Sequence, residues 1–181
     1  MKDYMKELAK YDWYTPAEWT LELPTLQQLP REVATFSYWI EHEKVKTFLE
    51  IGVASGGMMH YFINSLGLKG YGLDIVEPTM VSKDLVHVGD CHSGESQKWA
   101  EEHGPYDLVF IDGDHSYEAV KLDWELYRGM ATKMVAFHDI FQDIYLGPRY
   151  LFDQIGGDKL EIKCPGNMYL GIGIVFLKEG V

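Results

Sequence analysis

Apolar segments of strand length recur between residues 47 and 139, and segments with helical spacing of apolar positions lie between most of them. The apolar segments are rich in β-branched and aromatic residues, which is typical of strands. Because strands that alternate with helices form a parallel sheet covered on both faces, the pattern predicts an α/β fold. The predicted strands are 47–53, 71–76, 85–90, 107–112 and 134–139, and the predicted helices between them are 57–66, 93–103 and 116–129.

The C-terminal part of the chain departs from this alternation. Residues 159–164 and 171–178 are both predicted strands, and no helix lies between them, so they are expected to form an antiparallel pair. Further helices are predicted at 25–42 and 147–156 from the spacing of apolar positions. The whole pattern predicts a three-layer sandwich with a mostly parallel seven-stranded sheet and an antiparallel C-terminal strand pair.

The first 23 residues carry many aromatic side chains and no regular period. Because disordered segments are poor in aromatic residues, we expect an ordered arm that packs on the domain, on a second subunit of a homodimer, or over a functional site. The length of 181 residues fits a single domain, 1–181, with a core over 45–178. The aromatic residues of the arm are Tyr4, Tyr11, Trp13, Tyr14 and Trp19.

An excess of acidic residues narrows the range of partners. The formal net charge of −12 repels phosphate backbones and anionic lipid, so we expect no nucleic-acid or membrane partner. Acidic side chains can still bind divalent cations. Cys91 and Cys164 lie far apart and form no C-x-x-C motif, and the N-terminal residues lack a signal-peptide pattern. These features predict a reducing, cytoplasmic location.

A glycine loop follows the first predicted parallel strand, at the sheet edge where open parallel sheets bind ligands. The stretch from Glu50 to Gly57 reads EIGVASGG, and its spacing matches neither the dinucleotide fingerprint nor the phosphate-binding P-loop. The loop is therefore either an ordinary turn or a surface for a ligand that lies against the backbone. Asp74 ends the second strand and either binds a ribose diol or caps a turn. Asp90 follows the third strand and either meets an adenine edge or lies in a turn.

Acidic and imidazole groups follow the fourth and fifth predicted strands. If these strands are neighbours, Asp112 converges with His138 and Asp139, and two carboxylates with an imidazole can hold a divalent cation. Alternatively, each aspartate caps a helix and His138 is a core histidine bonded to backbone. His115 lies one turn beyond Asp112 and is suited to act as a general base near neutral pH, and Asp114 is the other candidate for that role.

Together these motifs resemble the class I S-adenosylmethionine-dependent methyltransferases, whose fold is Rossmann-like. The similarity is greatest to the methyltransferase domain 24 family, which is akin to metal-dependent sugar and catechol O-methyltransferases. It spans residues 45–178, and the run IDGDHSYEAV with the later FHD is more specific than the glycine loop. The resemblance implies a methyltransferase (EC 2.1.1.-) that transfers a methyl group to a hydroxyl of a small molecule or sugar.

The resemblance also implies a set of cofactor contacts. Residues of the glycine loop would lie under the methionine part of S-adenosylmethionine, the acid after the second strand would hold the ribose, and the residues after the third strand would flank the adenine. The implied cofactor-binding residues are Glu50, Gly52, Ser55, Gly56, Asp74, Asp90, Cys91 and Asp112.

A cation centre and a base are implied in the same way. Asp112 would be the first metal ligand and His138 with Asp139 would supply the others, while His115 or Asp114 would be the catalytic base. Characterised metal-dependent relatives usually carry an acid at the position of His138, and histidine is a poorer magnesium ligand than a carboxylate. The cation is therefore Mg, Mn or Fe, or the site works without one.

Two other classes of protein remain open. A nicotinamide-dependent oxidoreductase on a related fold is one alternative, although the third glycine of its fingerprint is misplaced here. A non-catalytic module with a cofactor fold is the other. For a transferase, the acceptor pocket would come from the aromatic arm, from another subunit, or from the loop 140–150, where Asp143, Tyr145 and Arg149 are candidates.

Overall fold

A mixed seven-stranded sheet forms the centre of the computed structural model, which describes residues 3–11, 26, 28–141, 144, 146–164 and 170–177. The spatial order of the strands is β3-β2-β1-β4-β5-β7-β6. The strands are β1 (Thr47–Ile51), β2 (Lys69–Asp74), β3 (Val86–Val88), β4 (Tyr106–Ile111), β5 (Ala131–Phe137), β6 (Asp158–Ile162) and β7 (Ile172–Phe176). The helices are α1 (Tyr4–Leu8), α2 (Pro30–His42), α3 (Gly57–Asn64), α4 (Gly94–His103), α5 (Tyr117–Tyr127) and α6 (Gly147–Gln154), with 3₁₀ turns at Lys83–Leu85 and Arg128–Met130.

Strand pairing confirms the predicted sheet. The first five strands are parallel to their neighbours, and β7 is antiparallel to both β5 and β6. In the register, Ile111 of β4 lies between Ile51 of β1 and Phe137 of β5. The residues that follow these three strands therefore reach the same edge of the sheet side by side.

Helices cover both faces of the sheet, as the predicted three-layer arrangement requires. One apolar cluster joins α1, α2 and α3 to the sheet, with Phe36 and Phe62 against Phe110. The other cluster joins α4, α5 and α6 to the opposite face, with Phe137 between Trp124 and Phe152. None of the helices in the described part of the chain is long and apolar enough to cross a membrane.

Several predicted element ends were wrong by a few residues. Helix α2 begins at Pro30 rather than at residue 25, because a proline fits the first helical position, where its missing N–H is not needed. Strand β5 begins at Ala131, three residues before the predicted start. The short connection from β2 to β3 contains only the 3₁₀ turn Lys83–Leu85, which is enough because β3 itself is short.

The described part of the N-terminal arm packs on the domain, and it is not irregular throughout. Asp3 caps the short helix α1 by accepting a hydrogen bond from the backbone N–H of Lys6. The buried Tyr4 hydroxyl donates to Glu41, and the Tyr11 hydroxyl lies 3.1 Å from His60 Nδ1 on α3. The arm aromatics Trp13, Tyr14 and Trp19 lie outside the described residues.

Candidate active site

The loop after β1 passes very close to the loop after β4. Gly52 has φ +87°, and a Cβ at this position would lie 2.2 Å from the backbone oxygen of Asp112. Only glycine satisfies both the left-handed backbone and this approach without strain. The glycine therefore lets the ends of β1 and β4 meet, which brings the glycine loop next to the acidic tip.

We expect Gly52→Ala to lower the free energy of unfolding by about 3 kcal/mol, because a left-handed alanine and an overpacked contact each carry a cost. Gly94→Ala is the matched control, since Gly94 begins α4 and a Cβ there would meet no atom within 4 Å. The control should be neutral or slightly stabilising. Urea unfolding of the two variants tests this, and equal stabilities would contradict the close approach.

A cavity of about 830 Å³ opens between the glycine loop and the loops that follow β2, β3 and β4. Asp74 lies in its wall, where Oδ2 accepts the backbone N–H groups of Val53 and Ala54 at 2.7 and 2.6 Å. Asp90, Cys91 and their neighbours form the far side. The carboxylate of Asp74 thus fixes the glycine loop and also faces the cavity.

The structure brings together most of the predicted cofactor residues, but not all of them. Those that line the large cavity are Gly52, Asp74, Asp90, Cys91 and Asp112. Glu50 faces a smaller neighbouring cavity instead. Ser55 and Gly56 line neither cavity, and a cofactor contact at these two positions stays a prediction. The Ser55 carbonyl accepts the N–H groups of Thr79 and Met80, and Gly56 is the left-handed N-cap of α3.

The smaller cavity, of about 320 Å³, lies on the other side of the same two loops. Its wall contains the predicted metal ligands Asp112, His138 and Asp139, together with Glu50 and Gln28. The residues that line both cavities are Gly52, Ala54, Asp112, Gly113 and His115. A molecule in the large cavity and a molecule in the small one would therefore meet at Asp112 and His115.

An imidazole sits between two carboxylates in the small cavity. His138 Nδ1 lies 3.1 Å from Asp112 Oδ1 and 3.2 Å from Asp139 Oδ1, and His138 is 3% exposed. Burial alone would lower the pKa of His138, but the charge of Asp112 and hydrogen bonds to both acids raise it to about 10. Burial would likewise raise the pKa of Asp112, but His138 and His115 lower it to about 2. Asp112 is thus held as a carboxylate.

His115 bridges the two aspartates on the cavity side. Its Nδ1 lies 3.4 Å from Asp139 Oδ2 and its Nε2 lies 3.5 Å from Asp112 Oδ1. The hydrogen bond to Asp112 is the main cause of a raised pKa for His115, which burial only partly opposes. An imidazole with a raised pKa between two carboxylates is well suited to accept a proton.

Asp114 has a different environment from His115. Its Oδ1 accepts the backbone N–H of Ser116 at 2.7 Å, and this bond is the main cause of a lowered pKa for Asp114. The Ser116 hydroxyl then caps α5 by accepting the N–H of Ala119. Asp114 lines only the large cavity, so the geometry favours His115 over Asp114 as the base.

Glu50 is a fully buried carboxyl group whose Oε2 has no hydrogen-bond partner among the described residues. Burial, followed by repulsion from Asp112 and Asp74, raises the pKa of Glu50 well above its ordinary value of 4.5. Because this pKa is higher in the folded protein than in the unfolded one, ionisation of Glu50 favours unfolding. Its contribution to stability is therefore lost as the pH rises above 4.5.

We expect Glu50→Gln to raise the free energy of unfolding at pH 8 by roughly 1–3 kcal/mol, since the amide removes a buried charge. The difference from the unchanged protein should shrink as the pH falls toward 4.5. Glu102→Gln, at an exposed position on α4, is the control and should show no such pH dependence. Thermal unfolding between pH 4.5 and 8 measures the effect, and a pH-independent difference would contradict it.

Three buried polar residues near the site were missed by sequence reasoning. Gln28 contacts Asp112, Glu32 accepts the N–H of Gly171, and Asp123 lies 2.9 Å from His92 Nε2. Asp123 could have been found, because it shares a helix face with the apolar residues of α5. No sequence pattern pointed to Gln28 or Glu32, because the apolar spacing that predicts α2 does not show which residues contact the N-terminus of the helix.

A second trio of metal-ligating side chains, Asp90, Cys91 and His92, lies at the large cavity. Cys91 Sγ and His92 Nε2 both contact Asp123, and burial together with Asp123 raises the pKa of Cys91 to about 12. A protonated thiol is a poor metal ligand. These residues are therefore better suited to form a wall of the large cavity than a metal centre.

The acceptor-loop candidates receive little support from the structure. Arg149 forms ion pairs with Asp153 and Glu161 on the surface and lines neither cavity at the site. Asp143 and Tyr145 lie outside the described residues.

The donor set of Asp112, His138 and Asp139 fits a divalent cation. One ligand atom from each residue lies within 4.8 Å of the others, and all three side chains are buried or nearly so. Two carboxylates and an imidazole suit manganese and iron as well as magnesium. Asp139 follows β5 in the left-handed conformation, with φ 59°, which aspartate tolerates better than most residues.

Comparison with protein families identifies the chain. The model of the Methyltransf_24 family, described as "Methyltransferase domain", matches residues 49–140, which run from β1 to the end of the acidic site. The chain belongs to this methyltransferase family. No curated protein sequence matches the chain. The family match covers the glycine loop and every residue of the predicted base and cation centre, and it confirms the family indicated by the sequence motifs.

Solved methyltransferase structures share the fold. An O-methyltransferase from Bacillus cereus in complex with SAH has a TM-score of 0.63 at 16% identity, over 90% of this chain and 84% of that one. The O-methyltransferase TomG from Streptomyces achromogenes in complex with SAM has a TM-score of 0.57 at 12% identity, over 84% of this chain and 82% of that one. The MycE methyltransferase with Mg, SAH and mycinamycin VI has a TM-score of 0.56 at 18% identity, over 76% of this chain and 48% of that one. At these identities the likeness establishes the Rossmann-like methyltransferase fold.

Proposed function

We propose that this family member is an S-adenosylmethionine-dependent O-methyltransferase that uses a divalent cation and acts on a hydroxyl of a small molecule or sugar. The observation that supports this most strongly is the pair of cavities that meet at Asp112 and His115. A methyl transfer needs a donor and an acceptor in line, each with its own binding space. The two cavities supply these spaces on either side of one shared wall.

The large cavity is the proposed cofactor site. Its volume lies within the range usual for small-molecule sites. Gly52 leaves the backbone uncovered, Asp74 offers a carboxylate for ribose hydroxyls, and Asp90 with Cys91 lies where an adenine would fit. The Bacillus cereus and TomG structures bind SAH and SAM on the same fold, which supports the assignment. The bound cofactor supplies the activated methyl group.

The small cavity is the proposed acceptor and cation site. Asp112 and Asp139 hold His115 from both sides, so that a ring nitrogen of His115 can accept the proton that leaves the acceptor hydroxyl. Asp112, His138 and Asp139 would hold the cation, and His138 would have to release the proton on Nδ1 to do so. A divalent cation lowers the pKa of a hydroxyl that it contacts. The MycE structure contains Mg together with SAH.

We further infer a single domain, 1–181, that acts in the cytoplasm. Core residues from α1 to β7 pack in two clusters on one sheet, which supports one domain. Cys91 and Cys164 are both free thiols, which supports a reducing compartment. The acidic surface favours a small-molecule acceptor over a nucleic acid.

Calorimetric titration with SAH and a radiolabelled methyl-transfer assay test the proposal. We expect SAH to bind, and label from S-adenosylmethionine to appear in at least one member of a panel of catechols, sugars and hydroxylated metabolites. EDTA should stop the transfer and Mn²⁺ should restore it. Absence of SAH binding would overturn the methyltransferase assignment. Transfer that EDTA does not affect would overturn only the use of a cation.

A further inference from the structure

Gln28 contacts the cation centre from outside the sheet. It lies two residues before α2, its side chain is 3% exposed, and it lines the small cavity. The side-chain Nε2 donates a hydrogen bond to Asp112 Oδ2 at 2.8 Å. The opposite carboxylate oxygen of Asp112 faces His138, so Gln28 and His138 hold this acid from two sides.

Chemistry fixes the orientation of the Gln28 amide. A carboxylate oxygen accepts hydrogen bonds, and in the structure the NH₂ group of the amide faces Oδ2 of Asp112. The amide oxygen Oε1 is therefore turned away from Asp112. Oε1 is buried and has no hydrogen-bond partner among the described residues. Buried amide oxygens are normally satisfied, so this atom is available to a partner other than the described residues.

The small cavity is lined by the carboxyl groups of Glu50 and Asp139 and by the imidazoles of His115 and His138. None of these groups forms a hydrogen bond with Oε1 in the structure. A cation placed among these groups would satisfy an amide oxygen directly, since amide carbonyls are ordinary ligands of hard divalent cations. An oxygen ligand without charge would also complete the donor set without adding to the negative charge already there.

The first turn of α2, which begins two residues after Gln28, is anchored beside the site. Glu32, one turn into the helix, is 1% exposed, and its Oε2 accepts the backbone N–H of Gly171 at 3.2 Å. Gly171 follows Leu170, which lines the small cavity, so Glu32 lies near the same centre. Pro30 begins the helix between these two side chains. The start of α2 is thus anchored against the site.

We propose that Gln28 is a further ligand of the cation centre, with Oε1 binding the metal while Nε2 holds Asp112 in position. This inference rests on the cation use proposed above. It assigns to the segment before α2 a direct part in the site, beyond the three ligands at the ends of β4 and β5.

Manganese binding by two variants at Gln28 separates a ligand from a simple hydrogen-bond donor. Gln28→Met keeps the length of the side chain and removes both polar atoms, and we expect it to weaken Mn²⁺ binding about 10-fold or more. Gln28→Glu replaces the amide oxygen with a charged one, and we expect it to bind Mn²⁺ at least as tightly as the unchanged protein. Calorimetry and the EPR signal of free Mn²⁺ measure the Mn²⁺ affinity of each variant.

Gln154→Met is the matched control, because the Gln154 amide oxygen accepts the Tyr117 hydroxyl and lines neither cavity of the site, and it should leave Mn²⁺ binding unchanged. Thermal unfolding verifies that each variant is folded. If Gln28→Met binds Mn²⁺ normally, or if both Gln28 variants are weakened with Gln28→Glu the weaker, the ligand assignment is overturned. If the unchanged protein binds SAH but no Mn²⁺, the cation centre and the assignment of Gln28 both fail, while the methyltransferase proposal stands.

Discussion

Asp112→Asn should abolish Mn²⁺ binding and methyl transfer and lower the free energy of unfolding by about 3 kcal/mol. Asp112 contacts Gln28, His115 and His138 together. An asparagine would leave the buried His138 facing a neutral group, and breaking a buried ion pair by removing one partner costs more than the pair itself contributes. Calorimetry with Mn²⁺, the radiolabel assay and urea unfolding measure the three effects.

Asp107→Asn provides the matched control on the same strand. Asp107 lies near the start of β4, at the opposite edge of the sheet, and its Oδ1 is 3.3 Å from Lys133 Nζ. An asparagine oxygen can still accept the backbone N–H groups of Lys46 and Thr47, so this variant should lose about 1 kcal/mol or less and still bind SAH and Mn²⁺. Equal losses of stability, Mn²⁺ binding and methyl transfer in the two variants would show that Asp112 has no specific role in the site.

His115→Gln should lower kcat by about 10²–10⁴-fold while SAH binding is retained, because loss of a general base affects the chemical step. Glutamine keeps a polar side chain at this position but cannot take up a proton at neutral pH. The result depends on the geometry that places His115 between Asp112 and Asp139 at the junction of the two cavities. Steady-state kinetics with an acceptor from the panel, together with SAH titration, measure the two quantities.

Asp114→Asn is the control for this prediction and tests the competing base. An asparagine can still accept the N–H of Ser116, so the turn before α5 should remain intact. Turnover close to that of the unchanged protein is expected. A large loss of kcat in Asp114→Asn, with little loss in His115→Gln, would reverse the assignment of the base.

Sequence reasoning identified the sheet and its ligand edge because those features are local and repeated. Each parallel strand was a short apolar run that ended in a polar residue, so Asp74, Asp112 and Asp139 could be placed at one edge from the pattern alone. The resemblance to the family then suggested cofactor-binding, metal-binding and base roles for the residues predicted at this edge. The strand register, in which Ile111 pairs with both Ile51 and Phe137, explains why that placement succeeded.

Features that depend on contacts between distant segments could not be read from the sequence. Gln28 lies 84 positions before Asp112, and no period or motif connects the two. The sequence also could not predict that the ligand edge of the sheet is divided into two cavities, because that division depends on how closely Gly52 approaches Asp112. The loop motif likewise could not indicate that the Ser55 carbonyl accepts the backbone N–H groups of Thr79 and Met80.

A crystal structure of the protein with SAH and Mn²⁺, recorded at the manganese absorption edge, tests the central claim most directly. We expect SAH in the large cavity with its ribose at Asp74, and an anomalous peak among Asp112, His138 and Asp139. The sulfur of SAH should point toward His115 across the shared wall. SAH bound outside that cavity, or a cavity left empty at saturating SAH, would contradict the account.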